Sequence, residues 1–219
     1  MNFATLRLLS LCAALACVAM PALARTPQTP KPDQKTSAAP PPKNEALRQE
    51  LLKMLDADQA VRAPMATGKW VNKDEMKKVS EVDATNTKRL AEIFKRYGFP
   101  TVALVGKDGA QAALVMVIHS PSLDLKKRSL PYITRASRRG EIPPDAFASL
   151  TDTILVAEGK PQIYGTRFNL VGGKFVLAPT RDPAHLDARR RELGLSPIKE
   201  YAKGMAEMYK MPVDTGLPR

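Results

Sequence analysis

Between Asn44 and Tyr209 apolar residues recur every three or four positions, and prolines and glycines cut that pattern into short pieces. Apolar positions at this spacing form one face of a helix. A chain built of such faces has to bury them against one another. The pattern predicts a mainly α fold: a single helical domain over residues 44–208, with about seven helices and one small β-hairpin.

Leu47, Leu51, Met54 and Leu55 predict a first helix over Glu45–Arg62, stopped by Pro64 because the residue before a proline avoids the helical region. Gly68 to Asn72, carrying the only tryptophan, Trp70, connects it to a second stretch. That stretch starts at Lys73 or Asp83 and runs to Tyr97, with Val79, Val82, Leu90, Ile93, Phe94 and Tyr97 on its stripe; Gly98 and Pro100 end it. Thr101–Val105 is a short β-branched run, a strand or an extended entry. Asp108-Gly109 then turns into Ala110–His119, which is apolar on all sides and so reads as a buried helix.

Ser120-Pro121 reads as an N-cap followed by proline, opening a helix to about Arg139 that bends at Pro131. Pro143-Pro144 opens another, to about Ala157. The period then changes. Gln162–Leu170 and Lys174–Leu177 flank Gly172-Gly173, a hairpin signature. Asp182-Pro183 and Ser196-Pro197 start two last helices parted by Gly194, and the tail over 209–219 is expected to fray.

The segment ahead of Asn44 has a different character. Arg7, the apolar run Leu8–Ala19, Pro21 and the small-x-small pattern Ala22-Leu23-Ala24 together read as a signal peptide over residues 1–24. The run is shorter than the roughly 20 residues a membrane span needs. Cleavage after Ala24 would leave an exported chain, periplasmic or secreted, starting at Arg25 with no transmembrane segment. A lipoprotein acylated at Cys17 is the lesser alternative, because leucine is absent three positions before it. Cys12 and Cys17 both lie in the leader, so thiol catalysis, thiolate zinc sites and disulfides are excluded from the mature chain. Residues 25–43 carry Pro27, Pro30, Pro32, Pro40, Pro41 and Pro42 among polar residues and alanine, the composition of a disordered linker.

A net charge of +12 admits anionic partners such as lipid headgroups, acidic glycans or nucleic acid, but the solvated-face reading is the stronger one. Runs such as Lys126-Lys127-Arg128 and Arg189-Arg190-Arg191 read as solvated faces. Nucleic acid is not expected as a partner, since only 5% of residues are aromatic and stacking platforms need them.

The informative polar residues are those that interrupt apolar stripes. Asp58 continues the line of Leu51 and Met54, Arg62 follows four later, and Gln59 is in line with Leu55. Asp83 falls four after Val79, Asn86 three after Asp83, and Leu90 four after that. His119 falls three after Met116. Asp152 lies near Leu155, and the stretch Gln162-Ile163-Tyr164-Gly165-Thr166-Arg167 adds amide, phenol, hydroxyl and guanidinium groups. Burying such groups without partners costs about 1–3 kcal/mol each, so they should find one another or face a polar cleft. Local readings stay open beside this. Asp58–Arg62 can be a helix pair, Asp83 an N-cap with Asn86 exposed, His119 a histidine bonded to a carbonyl, Asp152 a local cap, and the hairpin groups outward-facing.

In order along the chain, Leu51-Leu52 through Asp58-Gln59 and Arg62, Asp83-x-x-Asn86, Gly98-Phe99-Pro100-Thr101, Val105-Gly106 with Ala112, His119, Leu150-Thr151-Asp152, Gln162-Ile163-Tyr164-Gly165-Thr166, and Arg190 with Gly194 form a specific set. The chain resembles, over about Asn44 to Lys203, the bacterial domain-of-unknown-function family catalogued as number 6624. The resemblance implies a helical single domain, often exported, and no activity. That family usually has arginine at Thr153, glutamine at Arg167 and often glutamine at Ile118.

Three function classes follow. An acid–base hydrolase would use His119 as base with Asp58, Asp83 and Asp152, and Tyr164 or Thr166 to position substrate. A binding module of the envelope would hold a small polar or anionic ligand through Gln59, Arg62, Asn86, Gln162, Tyr164, Thr166 and Arg167. A purely structural network would use the same groups to specify the fold. No nucleophile elbow, phosphate loop or two-histidine metal helix is present. No cofactor and no metal are expected, because the other histidine, His185, sits at an exposed helix start. The adopted reading is the binding module, with the hydrolase as alternative; oligomeric state is not legible.

Overall fold

The structure, a computed structural model, describes residues 42–66 and 72–217. The leader, both cysteines, all but the end of the proline-rich linker, and Trp70 lie outside the described residues. Within them are seven α-helices and a small sheet: α1 (Glu45–Ala66), α2 (Lys73–Tyr97), α3 (Val102–His119), α4 (Leu123–Arg138), α5 (Pro144–Ala157), β1 (Phe168–Val171), β2 (Lys174–Leu177), α6 (Leu186–Glu192), α7 (Ile198–Tyr209) and β3 (Val213–Asp214). The fold is mainly α, as the spacing predicts. The described residues fall into two compact units, one ending at Leu150 and one starting at Thr151.

In the first unit α3 packs on α1, α2 and α4. It is long and apolar enough to cross a membrane by length and composition; here that apolarity makes it the buried centre, with Val105, Ala112, Ala113, Leu114 and Val117 fully enclosed. Leu47 and Leu51 of α1, Val79, Leu90 and Ile93 of α2, and Leu125 and Ile133 of α4 complete the core. Tyr97 departs from its stripe and is exposed.

Several element boundaries differ from the sequence expectation, each for a local reason. α1 runs through Pro64 to Ala66; near a helix end the missing N–H of proline costs only one ladder bond. α2 starts at Lys73, not Asp83, because Asn72 and Glu75 form a capping box: the Asn72 side chain accepts from the Glu75 N–H and the Glu75 carboxylate accepts from the Asn72 N–H. Asp83 is therefore mid-helix and not a cap. Val102–Val105 is a helical turn, not a strand; Thr101 precedes it, and Gly106 at φ 73° breaks α3 just after it. α4 is capped by Ser122, whose hydroxyl accepts from the Leu125 N–H, while Ser120 hydrogen-bonds Thr87.

In the second unit β1 and β2 form the predicted hairpin, with Val171 paired to Lys174 around Gly172-Gly173, both at positive φ. The first strand starts at Phe168; Gln162–Arg167 is a loop. Where a fraying tail is expected, β3 pairs in parallel with β2, and Lys174 and Asp214 form an ion pair 2.8 Å long. Neither Asp182 nor Ser196 caps its helix through its side chain. A short 3₁₀ turn leads into α6, and the first N–H of α7 is met by Asp187 at 2.7 Å. Phe175, Leu186, Ile198, Ala202 and Met205 are buried.

Gly165 shows what this packing demands. Its φ is +69°, and an added Cβ would sit 3.1 Å from both Leu186 Cδ2 and Ile198 Cδ1. Gly194 has φ +70° and open space around it. Gly194→Ala should cost about 1–2 kcal/mol from backbone conformation alone. Gly165→Ala should cost about 1–3 kcal/mol more, from overpacking. Urea unfolding of both variants checks the difference; equal losses would show that the Gly165 site relaxes freely.

Candidate functional site

Of the expected set, Asp58, Arg62, Asp83, Asn86 and His119 come together in the first unit. Asp58 has no exposed surface, and Arg62, His119 and Asn86 are buried with it. The i, i+4 spacing on α1 lets Arg62 Nη1 donate to Asp58 Oδ1 at 2.8 Å, and also to the Asp58 carbonyl at 3.3 Å. His119, the last residue of α3, faces the same carboxylate: its Nδ1 lies 2.9 Å from both Asp58 oxygens. Gln59 Nε2 donates to Asp58 Oδ2 at 2.8 Å from the exposed side. Arg62 turns its other nitrogen, Nη2, to Asp83 Oδ1 at 2.6 Å. Asn86, one turn along α2, donates to the Met54 carbonyl at 3.5 Å. Three helices thus meet through one carboxylate and one guanidinium.

Burial pushes the Asp58 carboxyl up, but the hydrogen bond from His119, the charges of His119 and Arg62 and the Gln59 bond together outweigh it, and the net direction is down. Asp83 moves the other way. Burial raises it, and the Arg62 bond and charge offset only part of that, with the Asp58 charge adding to the rise. A carboxylate accepting from His119 Nδ1 requires a hydrogen on that nitrogen. His119 is therefore held in one orientation, and its second nitrogen, Nε2, points away from Asp58. That nitrogen is buried and has no hydrogen-bond partner; it is the one such side-chain atom among the described residues.

The remaining candidates are in the second unit and form a network of their own. Asp152 is fully buried, and its two oxygens accept from the backbone N–H groups of Ile163, Tyr164 and Thr166 and from the Thr166 hydroxyl, at 2.8 to 3.2 Å. This carboxylate is why Gln162–Arg167 is a loop: the N–H groups a strand partner would take are already bound. Gln162, also fully buried, donates from Nε2 to the carbonyls of Arg167 and Ala178 and accepts the Arg167 N–H on Oε1. Tyr164 gives its N–H to Asp152 and its carbonyl to Arg190, while its phenol is half-buried and pushed up by burial. Arg167 enters through its backbone.

Arg190 corrects the reading of Arg189-Arg190-Arg191 as a solvated run. It is buried, donates to the carbonyls of Ser196 and Tyr164 at 2.6 Å each, and lies over the Tyr201 ring at 4.9 Å. Burial lowers its pKa from the ordinary value. The signal was present in the spacing, since Arg190 falls four after the buried Leu186 on a helix. His185 is exposed, as expected, and pairs with Asp182 at 2.8 Å. No group of three or more His, Asp, Glu or Cys side chains is placed to hold a metal ion among the described residues.

The two first-unit carboxylates should respond unequally to substitution. Asp58→Ala leaves Arg62 and His119 facing an empty site and should cost about 3–5 kcal/mol. Asp83→Asn keeps an acceptor for Arg62, which retains Asp58, and should cost about 1 kcal/mol or less. The pH dependence follows the two directions. The Asp58 contribution is present above the ordinary carboxylate pKa of about 3.9 and is lost as pH falls through its lowered value. The raised Asp83 is a cost that appears as pH rises through its folded value. Urea titrations from about pH 3 to 6 should show the deficit of Asp58→Asn growing with pH and that of Asp83→Asn shrinking. Parallel pH profiles would contradict the assignment.

Nothing among curated proteins or solved structures matches the chain. The family model described as "Family of unknown function (DUF6624)" matches residues 45–214, from the first residue of α1 to the last of β3. With the whole described fold inside that match, the chain belongs to this family of unknown function.

Proposed function

We propose that this protein binds a small polar ligand in its first unit, with His119 Nε2 as the atom that meets it. The observation that carries this is the unpartnered, buried Nε2. An unmet polar group inside a protein costs about 1–3 kcal/mol, so Nε2 calls for a partner that the protein's own groups do not supply. Here every bond of Asp58 works to hold the imidazole still, and the orientation so fixed presents an unused nitrogen. A ligand hydroxyl, amine or bound water would complete it. Asp83, its side chain 12% exposed, is the least buried carboxylate of the cluster.

An acid–base hydrolase is the second reading. An aspartate fixing Nδ1–H of a histidine leaves Nε2 able to accept a proton, which is the arrangement general bases use. Ligand binding is preferred because no nucleophilic side chain reaches Nε2 among the described residues.

His119→Asn separates these readings from a structural network. Asparagine keeps a donor toward Asp58 and deletes Nε2. Thermal-shift screening against a panel of hydroxylated and amino-bearing small metabolites should give hits that raise the Tm of the parent and not of His119→Asn. A variant of unchanged stability that keeps every hit would overturn the proposal; hits that are consumed would favour the hydrolase.

We further propose that the chain is exported. The support is the ordered triplet of Arg7, the apolar run Leu8–Ala19 and Ala22-Leu23-Ala24. N-terminal sequencing of the protein from the cell envelope or medium should read from Arg25. An acylated Cys17, or an intact Met1, would replace this reading.

A further inference from the structure

Tyr97 and Tyr132 are 37% and 39% exposed, in a chain that spends few residues on aromatics. Single exposed aromatics need no explanation. These two, however, line one groove of about 300 Å³ together with Lys43, Phe99, Thr101 and Leu104. Gly98, at φ 73°, ends α2 there and turns the chain so that Phe99 is buried beneath. Phe99 meets Phe94 edge-on at 5.5 Å and stacks on Tyr132 at 5.8 Å with the planes 14° apart. Tyr132 is therefore backed by packed rings and not free to swing.

Each tyrosine also carries a guanidinium. Arg96 lies over the Tyr97 ring at 5.0 Å, and Arg135 over the Tyr132 ring at 4.8 Å. Both arginines are exposed, and neither pairs with a carboxylate among the described residues. That sets them apart from Arg48, Arg62, Arg89 and Arg139, each of which has a carboxylate partner. A guanidinium stacked on a ring is oriented, and its N–H fork stays available for a planar anion. The groove lining holds no acidic residue; its own cation is Lys43 and its own aliphatic hydroxyl is that of Thr101, while Arg96 and Arg135 adjoin it only through the tyrosine rings they lie over.

We propose that this groove binds an acidic carbohydrate: a ring bearing hydroxyls and a carboxylate, such as one uronic acid unit of a longer glycan. The carboxylate would be met by Lys43 in the lining, with Arg96 and Arg135 on the adjoining tyrosines adding positive charge, the hydroxyls by Thr101 and the tyrosine phenols, and the apolar face of the sugar by the ring edges. A volume of about 300 Å³ is the lower limit of small-molecule sites and suits one ring. A bilayer would meet a flat or convex face, and a nucleic acid strand would need a longer cationic track. The proposal stands apart from the His119 site and from export.

Isothermal titration of the full chain with a uronic acid disaccharide tests it, with the neutral disaccharide, single-stranded DNA and anionic phospholipid vesicles as comparisons. The acidic disaccharide should bind more tightly than the neutral one. Arg96→Gln with Arg135→Gln should weaken it about tenfold or more with Tm unchanged. The same charge removed elsewhere on α2, Lys77→Gln with Lys88→Gln, should leave affinity within about twofold. Tyr97→Ala should weaken binding too. Absence of binding, equal loss in the two charge variants, or capture of only DNA or vesicles would overturn the proposal.

Discussion

Asp58 is an ionised group with no exposed surface, and the first unit is arranged around satisfying it. Taking a carboxylate out of water costs several kcal/mol and is tolerated only where partners are in place. Those partners come from one turn along α1, from the adjacent Gln59, and from the far end of α3. Arg62 then passes the constraint to α2 through Asp83. The registers of three helices are coupled by this one group: sliding α3 by a turn would carry His119 away and strand a buried charge. The capping box at Asn72 has the same consequence from the other side, because it sets where α2 begins and so the phase at which Asp83 arrives.

Asp152 plays the corresponding part in the second unit, with a different outcome. Every bond it accepts comes from loop backbone or from Thr166, while Gln162 holds the Arg167 N–H and carbonyl, Arg190 the Tyr164 carbonyl and Arg189 the Ile163 carbonyl. Among the described residues no buried side-chain polar atom of this network lacks a partner, which is what fold specification requires. The Asp58 network is complete except at His119 Nε2. The difference between a closed polar network and one with a single open atom separates a scaffold from a candidate site, and the functional reading rests on it.

Much of the helical layout was legible because it is local. Leu47, Leu51, Asp58 and Arg62 share a face of α1 by spacing alone, and the two glycines at 172 and 173 demand a tight hairpin. What misled was also local. Thr101–Val105 has β-branched composition, yet Val102–Val105 is helical, anchored by Val105, which is fully buried where α3 packs on α1. Gln162–Arg167 alternates like a strand, but the Asp152 carboxylate ten residues upstream takes its N–H groups. Arg190 looked solvated inside an arginine run until the stripe of α6 was turned inward.

The sequence by itself placed Asp58, Arg62, Asn86 and His119 on apolar stripes, where they are buried, since helical periodicity depends only on near neighbours along the chain. It could not determine which of them meet. The imidazole of His119 and the carboxylate of Asp58 are 61 residues apart, and their 2.9 Å contact exists only in the packed register of α1 and α3. The same holds for β3, two residues whose strand character comes wholly from lying beside β2. Long-range hydrogen bonds are selected by the close packing of whole elements, and that selection is what decided that Asp58, Arg62, Asp83 and His119 form one cluster while Asp152 and Gln162 lock a loop.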